Sequence, residues 1–149
     1  MITHIVPDDY KFDANEKARL LEALRSGRYG QGAGRLRSPD DNYCCLGVHL
    51  DVNGKGEWSA DGDKAWSYDI YRFAGVEHVD WSDTGLPESL CYDQDITYAE
   101  VPFRATEEMI EALPWLGGFY SAPTNTSLAA LNDQGATFVQ IADLIEYRF

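Results

Sequence analysis

Apolar positions follow a helical period at the two ends of the chain and lose it in the middle. In EKARLLEALRSG, Ala18, Leu20, Leu21 and Leu24 recur near a 3.6-residue spacing, which predicts an amphipathic helix. Asp13 or Asn15 supplies its cap and Gly27 its stop, after a short extended lead over residues 1–13. Tyr43–Val52, YCCLGVHLDV, is a nearly unbroken apolar run. It predicts a buried helix of two to three turns, preceded by the turn and cap residues of SPDDN.

Beyond the NGKG turn the pattern becomes aromatic. GEWSADGDKAWSYDIYRFAG reads as a hairpin closed at DGD. Residues 76–105 look irregular, with one further strand expected in DITYAEVPF. TEEMIEAL opens a helix capped by Thr106, with Glu107 and Glu108 in its first turn. PWLGGFYSAPTNT breaks the pattern. In SLAALNDQGATFVQIADLIEYRF two helices, over 128–134 and 138–147, are predicted antiparallel around Gly135. Thr137 and Gln140 form a capping box, and Phe138, Ile141, Ala142, Leu144 and Ile145 form the apolar face. The expected fold is a single α+β domain over 1–149. Its terminal helices pack on a small, mainly antiparallel sheet, with an irregular acidic insert at about 53–112.

Composition narrows the class. The chain has 149 residues, 44% hydrophobic and 13% aromatic, enough for a packed core without metal or disulfides. No window resembles a membrane span or a secretory leader, so the expected location is the cytoplasm. Three cysteines, Cys44, Cys45 and Cys91, make a poor disulfide framework and are expected to be reduced thiols.

Charge is the most uneven property. The net charge is −13, of which residues 51–100 carry −9 and residues 101–149 carry −4; residues 1–50 sum to zero. Such an excess keeps a protein soluble, repels nucleic acid and steers it toward basic surfaces. LAALNDQGATFVQIADLI has the opening pattern of a helix-turn-helix. The chain ends one turn later, with Arg148 the one base nearby, so direct DNA binding is not expected.

Two other chemistries find little support. Cys45 and His49 stand at i, i+4, yet His4, His78 and Cys91 lack the spacing to complete a zinc site. No flanking signature marks a catalytic cysteine, and carboxylates are too numerous to single out a pair. No metal, cofactor or catalytic residue is therefore assigned. The Gly27–Ser38 loop, GRYGQGAGRLRS, is more suggestive. No acid interrupts Ala23–Pro39, the glycines permit close backbone approach, and arginine forks match phosphate oxygens. It has neither the Walker A nor the dinucleotide-binding glycine spacing.

LRSGRYGQGAGRLRSPDDNYCCLGV, Leu86–Pro87, Trp115–Gly117 and LAALNDQGATFVQIADLIE together resemble a family of small proteins encoded by tailed bacteriophages. The likeness covers residues 18–52 and 113–146, and the middle, about 53–112, is unmatched. It implies an accessory gene product expressed in a bacterial cytoplasm and brings no catalytic residues with it.

Three readings remain. In the first, a non-enzymatic phage protein binds and inhibits a host or anti-phage defence protein through its acidic surface. The contacts would be Asp61, Asp63, Asp69, Glu77, Asp80, Asp83 and Asp93, with Trp66, Trp81 and Tyr92 as anchors. In the second, Arg28, Gln31, Arg35 and Arg37 hold a phosphorylated small ligand while Tyr29 or Tyr43 stacks its base. The third is an enzyme of unassigned chemistry.

Overall fold

The structure, a computed structural model, describes residues 5–34, 36–53, 58–59, 67–69, 80–81 and 101–149. Helix α1 spans Ala14–Arg25; Asp13 caps it by accepting the backbone N–H groups of Asn15 and Glu16. Gly27, at φ +76°, releases the chain into the left-handed region, where glycine costs least. The Gly/Arg loop then contributes a two-residue strand, β1 (Gly30–Gln31). It pairs in parallel with β2 (Asn42–Tyr43). Helix α2 follows at Cys45–Asn53 and is buried along most of its length, as its apolar run predicts.

The aromatic hairpin is present. β3 (Trp58–Ser59) runs antiparallel to β4 (Ser67–Asp69), and β4 to β5 (Asp80–Trp81). Strand β6 is Pro102–Ala105, at the C-terminal end of the expected segment. Phe103 and Ala105 point into the core while Arg104 faces out, the period-two alternation of a half-buried strand. Helix α3 (Glu107–Ala112) carries the Thr106 cap, and a 3-10 turn spans Pro114–Gly118. Strand β7 (Thr124–Ser127) then returns beside β6. PWLGGFYSAPTNT, which breaks the sequence pattern, is thus structured. Its strand went unseen because TNTS has no apolar alternation: Thr126 and Ser127 are buried polar residues, paired across to Phe103 and Pro102.

Helices α4 (Leu128–Asp133) and α5 (Phe138–Arg148) close the chain around Gly135, at φ +106°. The Thr137–Gln140 capping box forms in both directions. The α+β class therefore holds, but in place of the single expected sheet the described residues form three small ones: two antiparallel, and the β1–β2 pair parallel. The helices pack chiefly on one another. α1 lies against α5 and α2, α2 against α4, and the β6–β7 pair supports α4. The core centres on Leu116, Leu131, Ile141, Leu144 and Ile145, all inaccessible to solvent. Among the described residues no helix is long and apolar enough to cross a membrane.

Candidate functional site

The Gly/Arg loop is where chain ends distant in sequence meet. The Gln31 side-chain amide donates to Asn132 Oδ1 at 3.0 Å and to the Ala136 carbonyl at 2.7 Å. Its oxygen accepts the Phe138 N–H at 3.2 Å. Asn132 is buried. Its Oδ1 also accepts the Cys45 N–H, and its Nδ2 donates to the Gly32 carbonyl at 2.7 Å. Asp133 accepts the Gly34 N–H at 2.8 Å. Gln31, expected to touch a ligand, instead joins the loop to the α4–α5 turn. Buried backbone groups need partners, and these two amides supply them across the fold.

The arginines of this stretch face carboxylates of the same chain. Arg28 forks onto both oxygens of Glu22 at 2.7 and 2.8 Å, which holds the Glu22 carboxyl below its ordinary range. Arg25 joins Asp143 at 2.9 Å and Glu146 at 2.5 Å, linking α1 to α5. Arg37 meets Asp41 at 2.8 Å. Arg35 lies outside the described residues.

Arg37, Tyr29 and Tyr43 do converge. The Arg37 guanidinium lies 5.3 Å from the centre of the Tyr43 ring and 5.4 Å from that of Trp58. Those rings meet nearly at right angles, 80°, with centroids 6.0 Å apart. Tyr29 stands edge-on to Tyr43 at 5.0 Å. Asp51 ties the group to α2: its carboxylate accepts the Tyr29 hydroxyl and, at 3.0 Å, the Trp58 indole N–H. Burial and then the Asp51 contact push the Tyr29 hydroxyl far above its ordinary range, so it stays a donor. Sequence reasoning missed Asp41, Asp51 and Trp58. The available signal was Asp51, the one charged residue in the apolar run Tyr43–Val52.

Cysteine and histidine chemistry is placed less favourably. Burial pushes the Cys44 thiol up to about 11 and also raises the Cys45 thiol well above its ordinary value, and Cys45 Sγ contacts the Leu128 carbonyl at 3.6 Å. A buried thiol held protonated is a poor nucleophile. His49 is depressed by burial to about 4 and accepts a hydrogen bond at Nδ1 from Asn53 Nδ2 at 3.2 Å. Among the described residues, no three His, Cys, Asp or Glu side chains gather as metal ligands would. Arg148, the base near the helix-turn-helix-like pattern, turns back onto the Pro7 and Tyr10 carbonyls.

Of the acidic-surface residues, Asp69, Asp80 and Trp81 fall on β4 and β5. Asp61, Asp63, Glu77, Asp83, Asp93, Trp66 and Tyr92 lie outside the described residues, as does Cys91. No curated protein and no solved structure matches this chain. Residues 13–149 match the model of DUF8296, a domain of unknown function, and the chain belongs to that family.

Proposed function

We propose that this is a non-enzymatic binding protein that docks a basic surface of a target protein through its excess negative charge. The carrying observation is an asymmetry in how charges are used. Each described Lys or Arg head group is engaged within the fold. Arg25, Arg28 and Arg37 hold carboxylates, Arg19 and Arg104 hold the amides of Asn53 and Asn125, and Lys11, Lys17 and Arg148 hold backbone carbonyls. The acids are not so matched. Asp8, Asp9, Asp40, Glu107, Glu108 and Glu111 are exposed and make no ion pair among the described residues. The uncompensated field is therefore negative, before the −9 of residues 51–100 is added.

The resemblance to tailed-phage accessory proteins supports a target in the infected bacterium, a host or anti-phage defence protein with a basic face. Carboxylates presented there take the place of phosphates, which arginines bind in the same bidentate way. The phosphorylated-ligand reading is less favoured, because Arg28 and Arg37 already hold Glu22 and Asp41. The test is affinity capture from a bacterial lysate with the wild type and with a variant reversing several charges within 57–95. Capture should weaken in the variant and with added salt. Capture indifferent to both would remove the proposal.

A further inference from the structure

We propose that Asn53 is a deamidation site which the α1–α2 seam holds shut, and that opening of the seam commits the chain to an irreversible exchange of this amide for a carboxylate. The inference is independent of the acidic-surface reading. It starts from a step in the sequence. Of the asparagines, Asn53 alone precedes a glycine; Asn15, Asn42, Asn125 and Asn132 precede Glu16, Tyr43, Thr126 and Asp133. A following glycine leaves the next peptide nitrogen unshielded and its backbone free to turn, which makes asparagine, already a labile residue, most reactive. Gly54 lies outside the described residues and enters through its place in the chain alone.

The reaction needs only water. The Gly54 nitrogen attacks Cγ of Asn53. A bond forms between that nitrogen and Cγ, the Cγ–Nδ2 bond breaks, and ammonia leaves with the proton of the Gly54 N–H. Water then opens the ring imide. Addition at Cγ gives aspartate; addition at the main-chain carbonyl carbon gives isoaspartate, with a methylene inserted into the backbone.

The folded protein opposes this at the side chain itself. Asn53 is the last residue of α2 and is half-buried. Its Nδ2 donates to the Glu16 carbonyl at 2.9 Å and to His49 Nδ1 at 3.2 Å, so both amide hydrogens are engaged. Its Oδ1 accepts from Arg19 Nε at 2.6 Å. Glu16 and Arg19 belong to α1, and His49 to α2. Nδ2 must leave both of its partners before ammonia can depart, so ring closure requires the two helices to part locally at this end. The product cannot restore the seam. A carboxylate at position 53 has no N–H to give. It sets an oxygen against the Glu16 carbonyl oxygen, which is then left without its donor, and only the Arg19 contact gains. A transient opening is thereby converted into a permanent one.

The experiment is incubation of the full chain in mildly alkaline buffer, with peptide mapping by mass spectrometry to locate the exchange of NH2 for OH and to separate aspartate from isoaspartate. A free peptide of the local sequence LDVNGKGE is the unprotected reference. Asn53 in the folded protein should convert about tenfold or more slowly than in the peptide. Arg19→Ala, which removes the exposed tie from α1, should speed conversion about fivefold, the factor for one ordinary hydrogen bond. Urea below the unfolding midpoint should speed it in the wild type as well, in step with amide exchange at the α1–α2 seam. Asn53→Asp reproduces the product directly and should unfold at lower urea than the wild type, whereas Gly54→Ala should suppress conversion. Conversion of the folded protein as fast as the peptide overturns the proposal, as does a rate that neither Arg19→Ala nor sub-denaturing urea raises. An Asn53→Asp protein as stable as the wild type overturns the claim that the change is disruptive. Should Arg19→Ala fail to fold, the urea series on the wild type decides alone.

Discussion

Single residues in this protein show how one side-chain type can serve opposite ends. Gln31 sits in a loop whose composition suggests ligand contact, yet its three hydrogen bonds all go to the α4–α5 turn. Nothing in the sequence distinguishes an amide aimed outward from one aimed across the fold, because the partner is a hundred residues away. Asn132 is its counterpart. Asn132→Leu would strand the Cys45 N–H and the Gly32 carbonyl at a buried junction, and each orphaned buried group costs about 1–3 kcal/mol. A loss of roughly 2–5 kcal/mol in denaturant unfolding is the expected outcome on that scale, with faster amide exchange at Cys45. Gly47 is fixed by sterics. A Cβ there would lie 1.8 Å from the Leu36 carbonyl oxygen and 2.8 Å from its carbon, both backbone atoms. Gly47→Ala should lower stability by about 1–3 kcal/mol or more, the range for overpacking a close contact. Gly117→Ala places its Cβ 3.6 Å from a methyl of Ile110 and should be nearly silent in the same denaturation assay.

At the scale of elements, what was legible is what local chemistry determines. The Asp13, Thr106 and Thr137 caps, the Gly27 and Gly135 stops and the buried run at Cys45–Asn53 all form where the pattern puts them. What was not legible depends on distant partners. Strand β7 is polar and exists because β6 pairs with it, and the parallel β1–β2 pair consists of two residues on each side. In the candidate site, Tyr29, Arg37 and Tyr43 were read from the loop. Trp58 and Asp51 were not, since their place beside Arg37 follows from how β3 and α2 pack. The α1–α2 seam offers an element-scale prediction. Asn53 Nδ2 donates to the Glu16 carbonyl at 2.9 Å and to His49 Nδ1, while Asn53 Oδ1 accepts from Arg19 at 2.6 Å. These partners fix the amide, so His49 must accept and stay neutral; its ring also stacks on Phe12 at 6.0 Å. Protonation is thus easier in the unfolded chain than in the folded one. The associated stability is full above pH 6.5, the unfolded value, and is lost as pH falls toward about 4. That shift corresponds to up to about 3 kcal/mol, taking roughly 1.4 per unit. Urea midpoints measured from pH 7 to 4 should fall in the wild type, and the His49 component of that fall should vanish in His49→Leu.

The whole molecule is a fold whose two ends hold each other while its charge stays unbalanced. The lead segment is strapped to the C-terminal helix by Phe12 N–H to the Phe149 carbonyl, Lys11 to the Arg148 carbonyl, and Arg148 to the Pro7 and Tyr10 carbonyls. Phe149 lies buried between Phe12, stacked at 5.4 Å, and Phe103, edge-on at 5.8 Å. Among the described residues positive charge is used in such internal ties, and the chain carries a net −13 whose members repel one another. Self-repulsion and partner attraction respond to salt with opposite signs. Screening sets in over a Debye length of about 10 Å at 0.1 M, so carboxylates spread over the surface are relieved of much of their repulsion as salt rises. The exposed Arg28–Glu22 and Arg25–Glu146 pairs weaken too, but surface pairs of this kind contribute little. The isolated protein should therefore be at least as stable at about 0.5 M sodium chloride as at about 0.05 M, beyond any change in a near-neutral control domain. The captured complex should weaken over the same interval, chiefly through slower association. Thermal unfolding of the free protein and association rates of the complex, read in the same buffers, separate the two effects. If the acidic excess serves solubility alone, the first trend will appear without the second. A complex that holds equally well across the interval would then have to be carried by its apolar contacts.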